Sequence, residues 1–270
     1  MLELRNIGVT YAEGESGSVE ALKDVSLLCE RSSFVVIVGA NGSGKSTLLS
    51  VIAGAEKPDT GSVILAGSDV TALPEHRRAP LIGHVFQNPT KGTVGDMTVR
   101  DNLALAASRG QGFGLRWALS RALQEEMRAR LADLGIGLED RLDQPVSALS
   151  GGQRQALTML MATWKRPRLL LLDEHTAALD PRSADLVMNL TGRIVSDRGL
   201  TVLMVTHSMQ QAVQFGQRLL MLHHGRIVYD IRDGEKRRMR PSELVARFDE
   251  LRRMDRLDES AASLLQDQYI

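Results

Sequence analysis

The chain has 270 residues, of which 43% are hydrophobic, enough for one large domain or two small ones. Lys plus Arg and Asp plus Glu both total 33, and this zero net charge argues against a protein that coats nucleic acid by charge alone. The one cysteine, Cys29, excludes an internal disulfide framework and a cysteine-rich metal site. All apolar runs are strand-sized and the first residues lack a signal-peptide pattern, so we expect a protein kept in the cytosol.

The first ninety residues indicate short β-strands with turns between them. Leu2–Thr10 alternates between apolar and polar residues, and Val25–Cys29 and Phe34–Val38 are strongly apolar. A glycine-rich segment follows Phe34–Val38 and leads into a helical run, Leu48–Ala53, with Gly54 placed to cap its end. The sequence therefore predicts a strand, a glycine loop and a helix in succession.

A mostly helical block is predicted at about residues 93–160. Thr98 and Asp101 have the spacing of a capping box, followed by the helix formers Asn102–Ala107. Apolar residues at steps of four predict a second helix, and these are Leu115, Leu119, Leu123, Met127 and Leu131.

Strands return after this block. Leu169–Leu172 and Thr201–Val205 are apolar runs, and the segment Ser183–Ser196 between them is predicted to be helical. Strands separated by helices imply βαβ units and a mainly parallel sheet. The predicted class is therefore α/β, with a β-rich N-terminal layer and an inserted helical block. The tail, Ile231–Ile270, is predicted to be helical, and its basic cluster Lys236–Arg240 is expected to be solvated.

The segment Gly39–Ser46 fits the phosphate-binding pattern G-x-x-x-x-G-K-S. Glycines let backbone N–H groups converge on phosphate oxygens, and the helix N-terminus that follows adds a positive dipole end. Lys45 is expected to reach the β- and γ-phosphates, and the Ser46 hydroxyl to ligate Mg²⁺. The candidate nucleotide-binding residues are Gly39, Asn41, Gly42, Ser43, Gly44, Lys45, Ser46 and Thr47.

Two carboxylates, Asp173 and Glu174, follow the apolar run Leu169–Leu172. A carboxylate at the end of a buried strand is placed to hold Mg²⁺ through water, which is the role expected for Asp173. A second carboxylate beside it can orient or deprotonate an attacking water, so Glu174 is the candidate general base.

The segment Leu149–Gln153 reads Leu-Ser-Gly-Gly-Gln and resembles the signature motif of ATP-binding-cassette (ABC) ATPases. The resemblance covers about residues 2–230 and implies a P-loop NTPase core with an N-terminal antiparallel β layer and an inserted helical subdomain. It implies a single ABC ATPase domain over 1–230, with core segments 1–92 and 161–230, the helical subdomain 93–160 and a short helical tail 231–270.

The same resemblance implies roles for single residues. Tyr11, before a loop over residues 12–18, is similar to the aromatic residue that stacks on adenine. Gln87 resembles the Q-loop glutamine, with a catalytic and a metal-binding role. Asp180 resembles the D-loop aspartate, and His207 the switch histidine that contacts the γ-phosphate and helps to hold water and Glu174.

A head-to-tail dimer is also implied, in which the signature loop of one copy closes on the ATP held by Lys45 of the other. The loop residues expected to contact that nucleotide are Ser150, Gly151, Gly152 and Gln153. One departure from the family pattern is His175, which stands where many relatives carry Pro or Ala.

The resemblance implies a Mg²⁺-dependent ATPase subunit of a membrane transporter, held by permease subunits at the cytoplasmic side of the inner membrane. Its cofactors are ATP and Mg²⁺, and no nucleic-acid partner is expected. The segments 73–79, 114–119 and 173–180 resemble stand-alone cassettes of bacterial three-part importers that use a substrate-binding protein, some for aromatic amino acids. A stand-alone exporter ATPase and a soluble ATPase of the iron–sulfur assembly type remain as alternatives.

Overall fold

The computed structural model describes residues 1–13, 17–110 and 120–268. The strands are β1 Leu2–Glu13, β2 Gly17–Cys29, β3 Phe34–Gly39, β4 Thr60–Leu65, β5 Ser68–Asp69, β6 Ile82–Val85, β7 Leu169–Asp173, β8 Val202–Val205, β9 Arg218–His223 and β10 Arg226–Arg232. The helices are α1 Lys45–Ala53, α2 Glu75–Arg78, α3 Val99–Ser108, α4 Arg121–Ala132, α5 Gly151–Thr163, α6 Pro181–Arg198, α7 Met209–Gln214, α8 Asp233–Arg238 and α9 Pro241–Gln268. Short 3-10 turns lie at Pro89–Gly92 and Val146–Ala148.

The N-terminal strands form an antiparallel sheet in the order β2-β1-β4-β5. In β1, the alternating side chains Leu2, Leu4, Ile7 and Val9 are buried, which is the pattern of a sheet with one face on a core. The predicted N-terminal β layer is therefore confirmed.

The second sheet has the order β10-β9-β3-β8-β7-β6 and is parallel from β9 to β6, with β10 antiparallel at one edge. In a parallel sheet the carboxyl ends of the strands meet along one edge, where ligands bind in such folds. The ends of β3, β7 and β8 therefore bring the phosphate loop, Asp173 and His207 to the same edge. The predicted α/β class with a mainly parallel sheet is confirmed.

Both faces of β3 are buried, in two different cores. Val35 and Ile37 pack with the antiparallel sheet and α1, whereas Val36 and Val38 face the core that contains the helical block. A strand that is covered on both faces reads as a continuous apolar run, which is why Phe34–Val38 shows no alternation.

The predicted helices agree with the structure where it describes them. Thr98 and Asp101 form the capping box at the start of α3, and Gly54, at φ 85°, ends α1 in the left-handed region. Three of the residues predicted at steps of four, Leu123, Met127 and Leu131, are buried on α4. Leu115, Leu119 and the segment 114–119 lie outside the described residues. The helix predicted over Ser183–Ser196 is α6, which is longer at both ends.

The first two residues of the tail end β10, and the tail continues as α8 and α9. Leu244 and Phe248 of α9 are buried against the helical core. The prediction of a fully solvated basic cluster is wrong at Lys236. Its side chain is buried and its ammonium donates to the carbonyls of Val213, Phe215 and Gly216. Three carbonyl acceptors compensate for the burial of the charge. Across the described part of the chain, no helix is long and apolar enough to cross a membrane.

Candidate functional site

The phosphate loop joins β3 to α1. Gly44 precedes α1 at φ 101°, and among the described residues no side chain caps the helix, so the amides of its first turn are left for an anion. A Cβ on Gly39 would lie 2.4 Å from both the Leu222 carbonyl oxygen and Ser43 Oγ, so only glycine fits there. The Ser43 hydroxyl is buried and has no hydrogen-bond partner among the described residues.

Lys45 bridges the phosphate loop. Its Nζ donates to the carbonyl oxygens of Gly39 at 2.9 Å and Ala40 at 2.8 Å. Burial lowers the pKa of the Lys45 ammonium, and the charges of Glu174 and Asp173 oppose this shift. Around it, Asn41, Gly42 and Ser46 are exposed, and Thr47 is half-buried. The loop thus presents one ammonium and the uncapped end of α1 on the same side, which suits a polyphosphate.

The two predicted carboxylates stand at the end of β7. Burial, followed by the neighbouring charge of Glu174, raises the pKa of the Asp173 carboxyl, while Lys45 and Lys91 act in the opposite direction. Glu174 has φ 42°, in the left-handed region that is unfavourable for a side chain with a Cβ. Its N–H donates to the Val205 carbonyl at 3.0 Å, which fixes this strained residue to the end of β8.

Glu174 Oε2 is the point where three of the predicted residues meet. Gln87 Nε2 donates to it at 3.2 Å, and His207 Nδ1 lies 3.2 Å from the same oxygen. Gln87 comes from the loop after β6, Glu174 from the end of β7 and His207 from the loop after β8. Two side chains therefore hold one oxygen of the carboxylate at the edge of the sheet that carries Lys45.

The signature loop is built as a helix cap. Ser150 Oγ accepts from the Gln153 N–H at 3.2 Å, and Gln153 Oε1 accepts from the Ser150 N–H at 3.3 Å, a capping box at the start of α5. A Cβ on Gly152 would lie 2.9 Å from Ser183 Oγ. Asp180 caps α6 by accepting from the Ser183 N–H at 3.1 Å. The signature residues and Asp180 therefore lie side by side.

In the part of the chain that the structure describes, Tyr11 and Ser150 lie apart from the phosphate loop. Within the described ranges, no hydrogen bond or ion pair links either residue to Lys45 or Glu174. Tyr11 is 39% exposed and lies opposite Val19 in the β1–β2 pair.

The loop expected after Tyr11 is shorter than predicted. Ala12 pairs with Ser18 and Glu13 with Gly17, so strand pairing continues into the segment 12–18. Residues 14–16 lie outside the described residues.

Some residues around the site were not predicted. The positive charge of Lys91 acts to lower the pKa of the Asp173 carboxyl. Asn88 Oδ1 accepts from the Thr90 N–H at 3.0 Å, which shapes the turn after Gln87. The Asn88-Pro89 dipeptide is a turn signal that points to this loop. The Gly225 N–H donates to the Ser43 carbonyl at 3.1 Å, and no local pattern indicates that contact.

The departure at His175 does not disturb the site. Its ring is buried, with Nε2 3.2 Å from Thr191 Oγ1, and burial lowers its pKa to about 4. The residue therefore belongs to the packing between the end of β7 and α6.

Three features define a P-loop ATPase, an enzyme that binds ATP and hydrolyses it. They are the parallel sheet buried on both faces, the glycine loop with Lys45, and Glu174 held by its neighbours. The family model "ABC transporter" matches residues 22–177. The chain belongs to the ABC transporter family and is an ATP-binding subunit of this kind.

Similar proteins extend the match over most of the chain. The "Tyrosine transport ATP-binding protein" of Clostridioides difficile (strain R20291) is 40% identical over 251 residues, covering 92% of this chain and 99% of that protein. The macrolide export ATP-binding/permease protein MacB of Salmonella typhimurium is 36% identical over 242 residues, but the matched region is only 35% of its length.

Among solved structures, a dimeric post-hydrolysis state of the ATP-binding cassette MJ0796, bound to ADP and Pi, superposes with a TM-score of 0.72 at 31% identity. The superposed region covers 86% of this chain and 98% of the MJ0796 chain. This likeness agrees with the P-loop NTPase fold and with ATP hydrolysis.

Proposed function

We propose that this chain is the ATP-hydrolysing subunit of a bacterial importer for a small solute such as an amino acid, working as a head-to-tail dimer that drives separate membrane subunits. The observation that carries the catalytic part is the contact of Gln87 and His207 with one oxygen of Glu174. The importer part is supported by the 40% identity to a tyrosine transport ATP-binding protein, which this chain matches over nearly its full length.

In the proposed reaction, water attacks the γ-phosphate of ATP and ADP leaves. Glu174 accepts the proton of that water, and Gln87 and His207 hold its carboxylate in place. Lys45 neutralises charge on the β- and γ-phosphates, together with the amides at the start of α1. The short distances to Glu174 Oε2 support this assignment, because a base must be oriented before the reaction starts.

The proposed metal is Mg²⁺, held by Ser46, Asp173 and Gln87. A hydroxyl, a carboxylate and an amide oxygen are the hard donors that Mg²⁺ prefers, so the residues present fit this ion. When bound, Mg²⁺ would neutralise the charge that develops on the phosphates. A cation beside Asp173 would also relieve the unfavourable burial that raises the pKa of its carboxyl.

The proposed dimer completes each ATP site with residues of the second copy. Ser150, Gly151, Gly152 and Gln153 start a 13-residue helix, α5, and Ser150 is exposed there. Such a helix start is suited to an anion, yet it has no contact with Lys45 of its own chain within the described residues. The dimeric form of the similar cassette MJ0796 supports pairing of two copies. In the proposed dimer, Asp180 lies beside the paired loops and Tyr11 lies against adenine.

Permease subunits are proposed to dock between the core, 1–92 and 161–230, and the helical subdomain, 93–160. A surface cavity of about 210 Å³ lies between these segments, close to the loop that carries Gln87. Its lining includes Phe86, Lys91 and Arg109. A partner in this cavity would contact the Gln87 loop directly, which would couple it to Glu174. We propose that the subunit binds its permease at the cytoplasmic side of the membrane, with a substrate-binding protein as an indirect partner.

An exporter is the second candidate, because the ATP-binding part of the macrolide exporter MacB is 36% identical to this chain. We favour the importer because the tyrosine transport protein is matched at higher identity and over 99% of its length. The proposed solute class is accordingly an amino acid of the aromatic type.

Purification of the tagged chain from native membranes, followed by reconstitution of the co-purifying membrane protein, tests this proposal. We expect a polytopic permease and ATP-dependent uptake of labelled tyrosine, abolished in a matched preparation carrying Glu174→Gln. Transport in the opposite direction would support the exporter. Co-purification with soluble assembly proteins alone would contradict both transporter proposals.

A further inference from the structure

Two histidines and one aspartate meet where the tail helix touches the β9–β10 hairpin. His223 Nε2 lies 3.0 Å from Asp255 Oδ1, and His224 Nε2 lies 3.2 Å from the same oxygen. One ligand atom from each of the three side chains falls within 4.8 Å of the others. The cluster lies outside the proposed ATP site and takes no part in the proposed reaction.

The hairpin turn explains why two consecutive histidines point to the same place. Neighbouring side chains in a strand point to opposite faces, so an extended chain would separate these rings. Here β9 ends at His223 and β10 starts at Arg226, and both turn residues have positive φ, 45° at His224 and 77° at Gly225. The turn brings the His224 ring back to 4.2 Å from the His223 ring.

The third side chain comes from the tail, which is held firmly enough to place it. Leu244 and Phe248 of α9 are buried, and the Arg247 guanidinium stacks over the Tyr229 ring of β10 at 5.1 Å. Asp255 lies two turns beyond Phe248, so the anchored helix delivers its carboxylate to the tip of the hairpin. The Asp255 side chain is 32% exposed and that of His224 is 70% exposed, which leaves the cluster accessible to an ion from solvent.

We infer that His223, His224 and Asp255 form a binding site for a divalent transition-metal ion of the zinc type, which clasps the tail helix to the hairpin. Imidazole nitrogen and carboxylate oxygen are common zinc ligands, with bonds of about 2.0–2.2 Å. In a tetrahedral site, such bonds place neighbouring ligand atoms about 3.3–3.6 Å apart. The observed nitrogen-to-oxygen distances of 3.0 and 3.2 Å are close to that spacing, so the side chains need only a small outward shift.

The three side chains supply three of the four ligands of a tetrahedral zinc ion. Each imidazole binds through Nε2 and carries its proton on Nδ1, and the carboxylate supplies one negative charge. Three ligands leave one tetrahedral position for water. The site lies one residue from Gly225, whose N–H donates to the Ser43 carbonyl of the phosphate loop, so a bound ion would fix a hairpin that supports this loop.

Calorimetric titration with Zn²⁺ of the nucleotide-free, full-length chain, first freed of metal with a chelator, tests the site. We expect one bound ion, and a loss of affinity of at least about 10-fold in each of Asp255→Asn, His223→Gln and His224→Asn, since even indirect metal contacts are worth 10–100-fold. Asn tolerates the left-handed turn position of His224, so this variant should keep the hairpin. The control is His76→Asn, an exposed histidine on α2, which should bind Zn²⁺ as the parent does.

Limited proteolysis of the tail provides the second readout. Zn²⁺ should slow cleavage within 241–255 in the parent chain and have no such effect in Asp255→Asn. Equal zinc binding by the parent and the double variant His224→Asn/Asp255→Asn would overturn the site. Zinc binding that needs the histidines but persists unchanged in Asp255→Asn would overturn the clasp of the tail.

Discussion

Replacing Glu174 with Gln tests the role of this residue as a proton acceptor separately from its hydrogen bonds within the site. The substitution keeps the size of the side chain, and its amide oxygen can still accept one of the two contacts now made to Oε2, from Gln87 or from His207, each at 3.2 Å. What is lost is a negative charge and the ability to accept a proton. ATP binding through Lys45 and the α1 amides should therefore persist.

The expected effect is a slower hydrolysis step. A positioned acid–base group contributes about 10²–10⁴-fold, and we expect the single-turnover rate of Glu174→Gln to fall within that range. Removal of a charge next to the γ-phosphate also favours the ATP-bound form, so the variant should accumulate as a closed dimer of doubled mass. Light scattering after size-exclusion chromatography in Mg-ATP measures this mass.

Glu125→Gln is the matched control, because Glu125 is an exposed residue on α4 whose carboxylate pairs with Arg121. It should hydrolyse ATP at the parental rate. If Glu174→Gln did so too, Glu174 could not be the base. A slow variant that stayed monomeric with ATP would leave the base assignment standing and would contradict ATP-driven closure of the isolated subunit.

Lys45→Ala should weaken ATP binding about 10- to 100-fold without unfolding the chain, because a charged hydrogen-bond donor is lost. The control Lys165→Ala, at an exposed lysine, should bind ATP as the parent does, and equal affinities of the two variants in a direct titration would refute the phosphate-loop role. Arg78→Met should lower the free energy of unfolding in urea by about 1–3 kcal/mol, since the Val51 and Ile52 carbonyls that end α1 would lose the buried guanidinium that donates to them, and the absence of a measurable cost would contradict this. Burial lowers the pKa of His175 from 6.5 to about 4. Between these two pH values, the unfolded chain binds a proton at this residue and the folded chain does not. Stability should therefore fall by about 3 kcal/mol more in the parent than in His175→Leu between pH 6.5 and 4, and parallel unfolding curves would refute it.

Local patterns in the sequence predict the elements that carry the site. The run Phe34–Val38, the glycine loop and the helix with Gly54 at its end are each visible without a partner segment, because each depends on local backbone geometry. The parallel order of the sheet then explains why Lys45, Glu174 and His207 lie at one edge of the sheet, although they lie far apart in the chain.

Contacts between distant segments are not predicted by these patterns. Lys236 stands in a run of basic residues, which indicates a solvated surface, but three carbonyls at the C-terminal end of α7 and just beyond it accept from its ammonium. The Gly225 contact with Ser43 and the meeting of His224 with Asp255 likewise depend on how a hairpin and the tail pack. Tertiary packing decides such positions, and a periodicity within one segment carries no information about it.

The central feature of the proposed mechanism is the pairing of two chains, in which each ATP site uses Lys45 of one copy and Ser150 of the other. Mixing Lys45→Ala chains with Ser150→Arg chains tests this pairing, with ATPase activity measured over a range of ratios. Each variant alone has two defective sites, but a mixed head-to-tail dimer holds one site with both residues intact. We expect the ATPase activity of the mixture to exceed that of both parents and to be greatest near equal amounts. A mixture no more active than its parents at any ratio would contradict the head-to-tail arrangement.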